Sequence, residues 1–265
     1  MHPGTPEMAS FRYRTLMPAQ YLKAKVNIPD TDIVVIGKPL AADEVQRYKA
    51  DGKTVIADFC DDHFDHKVLG PAYRRIAELA DLCVAPTSVM RDRIPVPSSK
   101  KEVIPDPYEF EEVEPHAFGN KLIWFGHNAG LHVMRPHLGY LKNVTVVTGP
   151  KIEEGMIPYS IENLKAEMLK ANIALFPTIP GHEYKSPNRL INALRMGLFP
   201  LCDRHPSYTE FKKFVWRTDI QTGIKWAGEF TSELNGLVKA GQDYIRDRYS
   251  PETIGKQWKD LLESI

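Results

Sequence analysis

Cysteine is scarce in this chain: Cys60, Cys83 and Cys202 are the only three in 265 residues. An odd number, widely spaced and set in apolar runs, argues against a disulfide framework and fits reduced core thiols in a cytoplasmic protein. No CxxC or Cys/His zinc spacing occurs. Long hydrophobic runs are missing too, since none approaches the roughly 20 residues that span a bilayer, and the opening MHPGTPEMAS has no apolar signal core. Net charge is also absent, because 34 basic and 34 acidic residues cancel, so nothing in the balance draws the chain to nucleic acid or anionic membrane. Neither GxGxxG nor the Walker spacing is found, which makes dinucleotide and P-loop readings poor. No repeat or low-complexity segment is visible.

What is present is a succession of short apolar runs separated by turns, with 21 prolines among them. The sharpest unit is Ile173 to Leu201, IALFPTIPGHEYKSPNRLINALRMGLFPL. Its apolar start predicts a strand, Pro177 to Tyr184 a loop, Ser186 a helix cap with Pro187 at the first helical position, and Gly197 the helix end before another apolar run. Such a helix start offers backbone N–H groups, the positive dipole end and two cations, Lys185 and Arg189, to an anion such as a phosphate or diphosphate.

In chain order, Ser10 to Leu22 contains Arg12 and Arg14, which share a face if the segment is extended and can then clamp an anion. Asp32 to Pro39 and Thr54 to Phe59 read as strands buried on both faces, with a helix over Ala42 to Ala50 between them. The second strand empties into Cys60-Asp61-Asp62-His63-Phe64-Asp65-His66. Ligands of open α/β sheets sit at the carboxyl ends of strands, so this cluster is well placed for general base work or for hydrogen bonds to sugar hydroxyls. Carboxylates and imidazoles crowded within so short a stretch cannot all converge on one ion, so no metal is expected. A helix through Tyr73 to Asp81, a strand at Leu82 to Ala85, a helix from Thr87 to Arg93 and a strand at Lys101 to Pro105 follow. The acidic, proline-rich stretch near Tyr108 to Asn120 marks a domain boundary, giving domains 1–112 and 113–265.

A fresh alternation begins at Lys121, with strand LIWFG, the turn Gly126-His127-Asn128-Ala129-Gly130, a helix around Val133 to Leu141, strand VTVVTG and a helix over Ile161 to Ala171. The glycine turn lets backbone approach a ligand closely. Past Leu201 the pattern predicts a strand at Gly223 to Trp226 and two terminal helices, the last capped by Ser250-Pro251. Two alternations predict an α/β protein of two Rossmann-like domains facing each other across a cleft. An anionic leaving group on a hydroxyl-rich body suits that arrangement, and a nucleotide sugar has both.

The second half resembles the donor-binding domain of GT-B glycosyltransferases of the group-1, family 4-like class. The resemblance is carried by LIWFG at Leu122, IENLKAEMLKANIALFP from Ile161, KSPNRLINALRMGLFPL from Lys185 and HPSYTEF from His205. The first half is similar to acceptor domains carrying SxRxR, DIVVIGKP, DxCDDHF and VIPDP, here Ser10 to Arg14, Asp32 to Pro39, Asp58 to Phe64 and Val103 to Pro107. The resemblance implies transfer of a sugar from a UDP- or GDP-linked donor with retention and without an essential metal or other cofactor. On it, Lys185, Ser186 and Arg189 hold the phosphates, Asn188 orients the loop or meets the donor, and Asp61, Asp62 or His63 reaches the reacting sugar or the acceptor hydroxyl. Asn192 stands where the family has a ribose-gripping glutamate. The first glutamate of the family's E-x7-E pattern falls at Tyr184, with Glu183 beside it. His127 and Asn128 replace the usual Arg/Lys pair, which leaves Arg12 or Arg14 as supplementary phosphate or acceptor contacts. The acceptor is a glycan, a lipid-linked sugar or a small molecule, and a modified DNA base is the class that zero net charge argues against. The short chain invites completion of the acceptor site by a second copy in a homo-oligomer. Two other functions fit the same residues: nucleotide-sugar epimerisation or hydrolysis with His63 and Glu183 as acid and base, and a non-catalytic nucleotide-sugar-binding module.

Overall fold

The computed structural model describes residues 4–28, 31–38, 41–178 and 184–265, with only the backbone of Thr231. The chain divides into two compact units. Unit 1 holds Met1–Pro107, Tyr184–Ser186 and Arg248–Ile265, and unit 2 holds Tyr108–Glu183 and Pro187–Asp247.

Unit 1 contains a parallel sheet of β1 (Ile33–Gly37), β2 (Thr54–Asp58), β3 (Leu82–Ala85) and β4 (Lys101–Val103), hydrogen-bonded in that order. Strand residues alternate strictly between two cores. Val34, Ile36, Val55, Ala57, Cys83 and Ala85 pack on Val45, Tyr48, Tyr73, Ile76 and Met90 of the crossover helices Ala42–Ala50, Gly70–Leu79 and Ser88–Arg93. Ile33, Val35, Ile56, Leu82 and Val84 face the other way, against Leu22, Ile254, Trp258, Leu261 and Leu262. Right-handed crossovers that always advance in one direction put every connecting helix on one face. The second face is therefore covered by helices from outside the alternation, Met17–Leu22 and Pro251–Glu263. Residues 248–265, which the sequence division assigns to the second domain, lie with the first for this reason.

The segment Ser10 to Leu22 is helical, not extended: Ala9–Phe11 runs through a π-helical turn, Arg12–Leu16, into Met17–Leu22. Arg12 and Arg14 thus share no strand face. Arg14 is buried and bonds Asp58 through Nε at 2.9 Å and Nη2 at 2.5 Å, reaches Asp106 at 3.3 Å, donates to the Ile104 carbonyl and lies over Trp258. A buried carboxylate at the end of a central strand needs such a bidentate partner. Arg12 is buried as well and donates to the carbonyls of Pro6 and Glu7. Both arginines are committed to the fold, which corrects the anion-clamp expectation.

Unit 2 has six parallel strands in the order β10-β9-β8-β5-β6-β7, from β5 (Leu122–His127), β6 (Val144–Gly149), β7 (Ile157–Pro158), β8 (Ile173–Phe176), β9 (Phe199–Asp203) and β10 (Trp216–Thr218). This is the doubly wound order, with its reversal between β5 and β8. The segment Gly223 to Trp226, expected as a strand, lies inside the helix Ile220–Glu229, which Asp219 caps by accepting from Thr222 N–H at 2.7 Å. Its edge strand is the preceding Trp216–Thr218. The acidic stretch after Tyr108 is strapped to unit 2. Glu109 N–H donates to Asn192 Oδ1, Val113 N–H to the Arg195 carbonyl and His116 N–H to the Gly197 carbonyl. Glu112 takes ion pairs from Arg195, Lys239 and Arg246 at 2.6, 3.0 and 2.8 Å. Burial alone would raise its carboxyl, but these cations outweigh it and hold Glu112 below the ordinary range. Gly197 sits at φ +77°, and a Cβ there would lie 2.6 Å from the Glu114 carbonyl, so the helix end and the strap both require glycine.

Candidate functional site

In unit 2 the crevice follows from strand geometry. β5 and β8 share only two register pairs, Leu122 with Ile173 and Ile123 with Ala174, so their carboxyl ends splay apart. The Arg189 guanidinium lies at these ends. It donates to the Phe125 carbonyl at 3.1 Å, sits 5.3 Å from the centre of the Phe176 ring and hydrogen-bonds Tyr208. Gly126 makes room for it, because a Cβ there would be 3.0 Å from Arg189 Nη1. Burial raises the Tyr208 phenol, with Arg189 opposing, so it stays protonated and can donate. The turn after β5 is ordered by His127, whose Nδ1 accepts from Ala129 N–H at 3.1 Å, and by Thr148, whose hydroxyl donates to the Gly126 carbonyl at 2.9 Å. Asn128 opens the short 3-10 turn that follows.

The helix here is Asn188–Arg195. Its N-cap is Pro187 with no side-chain cap bond, so Ser186 does not cap it as expected, and the Ser186 hydroxyl is buried without a hydrogen-bond partner. Asn188 and Arg189 form the helix's first turn, where the dipole favours an anion. Asn192 is buried and its Oδ1 accepts from the Glu109 N–H, which ties it to the strap. Glu183 lies outside the described residues.

Unit 1 has a second polar cluster at the carboxyl ends of β1 and β2. Asp61 accepts ion pairs from Lys38 Nζ at 3.2 Å and Lys185 Nζ at 3.1 Å. Burial by itself would raise the Asp61 carboxyl, but Lys185 and Lys38 outweigh it and hold it well below the usual carboxylate range. A carboxylate so held is a poor proton acceptor and a good electrostatic anchor. His63 packs edge-on to Tyr73, ring centroids 5.0 Å apart, and burial, assisted by Lys38, Lys185 and His66 against Asp61, keeps its imidazole below its ordinary range. It is therefore neutral at pH 7 and can accept a proton. Asp62 is held differently: it takes Arg93 Nε at 2.8 Å and the Phe64 N–H at 3.2 Å, so it shapes the loop. His66 Nδ1 likewise accepts the N–H groups of Val68 and Leu69. Tyr184 belongs to this unit, its ring 5.0 Å from the Arg93 guanidinium and its carbonyl taking the Thr87 hydroxyl at 3.4 Å. Among the described residues no three His, Cys, Asp or Glu side chains converge to hold a metal ion, and no helix is long and apolar enough to cross a membrane.

Of the residues singled out in sequence, the structure brings Gly126 and Arg189 together in unit 2, and Asp61, His63 and Lys185 together in unit 1. Lys38 and Tyr208 were missed. The signal for Lys38 was its place in Gly37-Lys38 at the end of a buried strand, and for Tyr208 its place in HPSYTEF.

No family model and no curated protein matches the sequence. Solved structures match its fold. The Anabaena HepE complex with UDP aligns with a TM-score of 0.69 at 13% identity, over 94% of this chain and 82% of that one. OtsA aligns at 0.62 and 8% identity, over 97% and 77%. An alpha-glucosyltransferase in complex with UDP-glucose and DNA containing an abasic site aligns at 0.56 and 12% identity, over 94% and 84%. At such identities the likeness is one of fold, and the fold is that of GT-B glycosyltransferases, with two parallel α/β sheets.

Proposed function

We propose that this chain is a glycosyltransferase that moves a sugar from a nucleotide diphosphate sugar to an acceptor hydroxyl, with retention and without an essential metal. The observation that carries the reading is Arg189, pinned at the splayed ends of β5 and β8 beside a glycine that leaves it room. Charge that builds on a diphosphate leaving group is best met by donors already in place, and a fixed guanidinium at a helix start supplies them. Gly126, His127 and Asn128 line the same strand end and supply backbone and side-chain contacts to the donor, with Asn188 beside Arg189. Lys185 and Ser186 add a cation and a hydroxyl to the phosphates. In unit 1, His63 and the Asp61 cluster serve the acceptor side. Uridine is the first nucleotide to test, because HepE and the alpha-glucosyltransferase are complexes with UDP and UDP-glucose.

Calorimetric titration with UDP, GDP and ADP, with and without magnesium, tests the donor reading. Binding of one nucleoside diphosphate that survives removal of magnesium is expected, followed by turnover of its sugar conjugate. Failure of all of them to bind overturns it.

A further inference from the structure

We propose that Lys38 and Lys185 form an anion-binding site in unit 1 whose ligand is a phosphate-type group, with Asp61 as the carboxylate that holds the two ammoniums together. This deepens the reading above, because it takes Lys185 as a phosphate contact and adds Lys38 to it.

Two ammoniums on one carboxylate carry an excess positive charge that the carboxylate cannot cancel. Each ammonium has three donors and turns one of them to Asp61, so both have donors left for another acceptor. Lys38 is placed there at a backbone cost. It has φ +51°, a left-handed conformation that a residue with a side chain seldom takes, and its N–H continues the β1 to β2 ladder by donating to the Asp58 carbonyl at 3.0 Å. Strain of this kind at a strand's carboxyl end is commonly retained at functional sites.

Unpartnered hydroxyls in the same unit supply an independent observation. The Tyr73 hydroxyl is buried without a hydrogen-bond partner, on a fully buried ring that lies edge-on to His63. The Ser186 hydroxyl, next in the chain to Lys185, is buried without one as well. Buried hydroxyls are rarely left without a partner, so both are available to bond a ligand oxygen. Lysines, as point charges, suit a phosphate's several oxygens better than the single plane of a carboxylate. The phosphate can come from the donor's diphosphate or from a phosphorylated acceptor.

His63 reports occupancy, since an anion against Lys38 and Lys185 cancels the charge that helps keep its imidazole low. The experiment is a pH titration of the His63 ring by NMR on the full chain, its signal assigned by loss in His63→Gln. It is run with sodium chloride, inorganic phosphate, UDP, and UDP plus phosphate at equal ionic strength, while calorimetry follows UDP on the same samples. An upward shift with UDP that phosphate does not increase supports the donor's diphosphate as the ligand. An upward shift with phosphate in the presence of bound UDP supports a phosphorylated acceptor. In either case Lys38→Met should remove the shift and weaken binding of that anion by about tenfold. No shift beyond the chloride control, with calorimetry showing UDP bound, overturns the site and leaves the donor reading standing. A phosphate shift without UDP binding does the reverse. Should Lys38→Met fold poorly, Lys38→Gln takes its place, and the wild-type titration decides by itself whether the anion binds.

Discussion

Unit 2 reverses its strand order between β5 and β8, whereas the four strands of unit 1 advance in one direction without a reversal. The reversal makes a crevice by topology alone, because the two strands that flank it part company after two residue pairs. Among its described residues unit 1 has no such reversal. Its polar cluster is built from side chains at the ends of β1 and β2, and its neighbouring buried charge, Asp58 with Arg14, is spent on holding the sheet to the first helix. Topology thus locates the candidate site in one unit, and only individual contacts locate it in the other.

The largest expected effect separates fold from site in unit 1. Arg14→Ala leaves Asp58 buried without its partner and should cost about 3–5 kcal/mol, measured by urea unfolding. Arg14→Lys should recover part of the loss. A variant that unfolds like wild type would mean that the Arg14–Asp58 pair does not hold the sheet. Next comes Arg189→Ala in unit 2. It should weaken UDP binding by about 10- to 100-fold, the worth of a charge-assisted hydrogen bond of roughly 1.5–3 kcal/mol, and lower unliganded stability by about 1–3 kcal/mol as Tyr208 and the Phe125 carbonyl lose their partner. Gly126→Ala should act in the same direction more weakly, by pressing on the guanidinium. Unchanged affinity in both would break the crevice reading.

Asn192→Ala sharpens the contrast between strap and ligand. Loss of its bond to Glu109 should lower stability by about 1–3 kcal/mol and leave UDP affinity within about twofold. Lost affinity at unchanged stability would instead restore the ribose role that the family resemblance implies.

The smallest effect is pH-linked. The Asp61 carboxyl is depressed in the folded chain, so its stabilising contribution is present above the ordinary carboxylate pKa of about 4 and is lost as pH falls toward its lower folded value. Asp61→Asn should therefore be less stable than wild type by about 1 kcal/mol at pH 7, and the gap should narrow steadily below about pH 4. A gap that is constant with pH would mean the two lysines do not hold the carboxylate.

Much of the fold could be read in the sequence, because strands covered on both faces show as continuous apolar runs. Ile33–Gly37, Thr54–Asp58, Leu82–Ala85 and Val144–Gly149 all lie within or match the expected strands. Cap and proline chemistry placed the last helix, where the Ser250 hydroxyl accepts from Thr253 N–H at 3.0 Å. It misled at Ser186, which belongs to unit 1, whereas the helix belongs to unit 2 and starts at Asn188 with Pro187 as its N-cap. The strand at Gly223 to Trp226 failed because its glycine serves packing: a Cβ at Gly223 would be 2.5 Å from Trp216, and the Asp219 cap starts a helix before it. Arg12 and Arg14 were misread because their spacing says nothing about Asp58, which lies 44 residues beyond Arg14. The candidate residues could be picked out in sequence where they follow a strand end, as for Asp61 and His63, or open a helix, as for Arg189. Their pairings were hidden where partners come from distant segments, as with Lys38 and Lys185 on one carboxylate.

Unit 1 finishes its sheet with a helix that follows all of unit 2 in the chain. On the ribosome the face formed by Ile56, Val84 and Ile104 must wait, covered only by Met17–Leu22, while some 150 further residues are made, about 10–30 s at ordinary synthesis speeds. Unit 2, complete once Asp247 has emerged, can fold ahead of the unit that precedes it. The order of manufacture and the order of folding are therefore reversed, and a chain stopped between the two helices would carry a finished second unit beside an adhesive, unfinished first one.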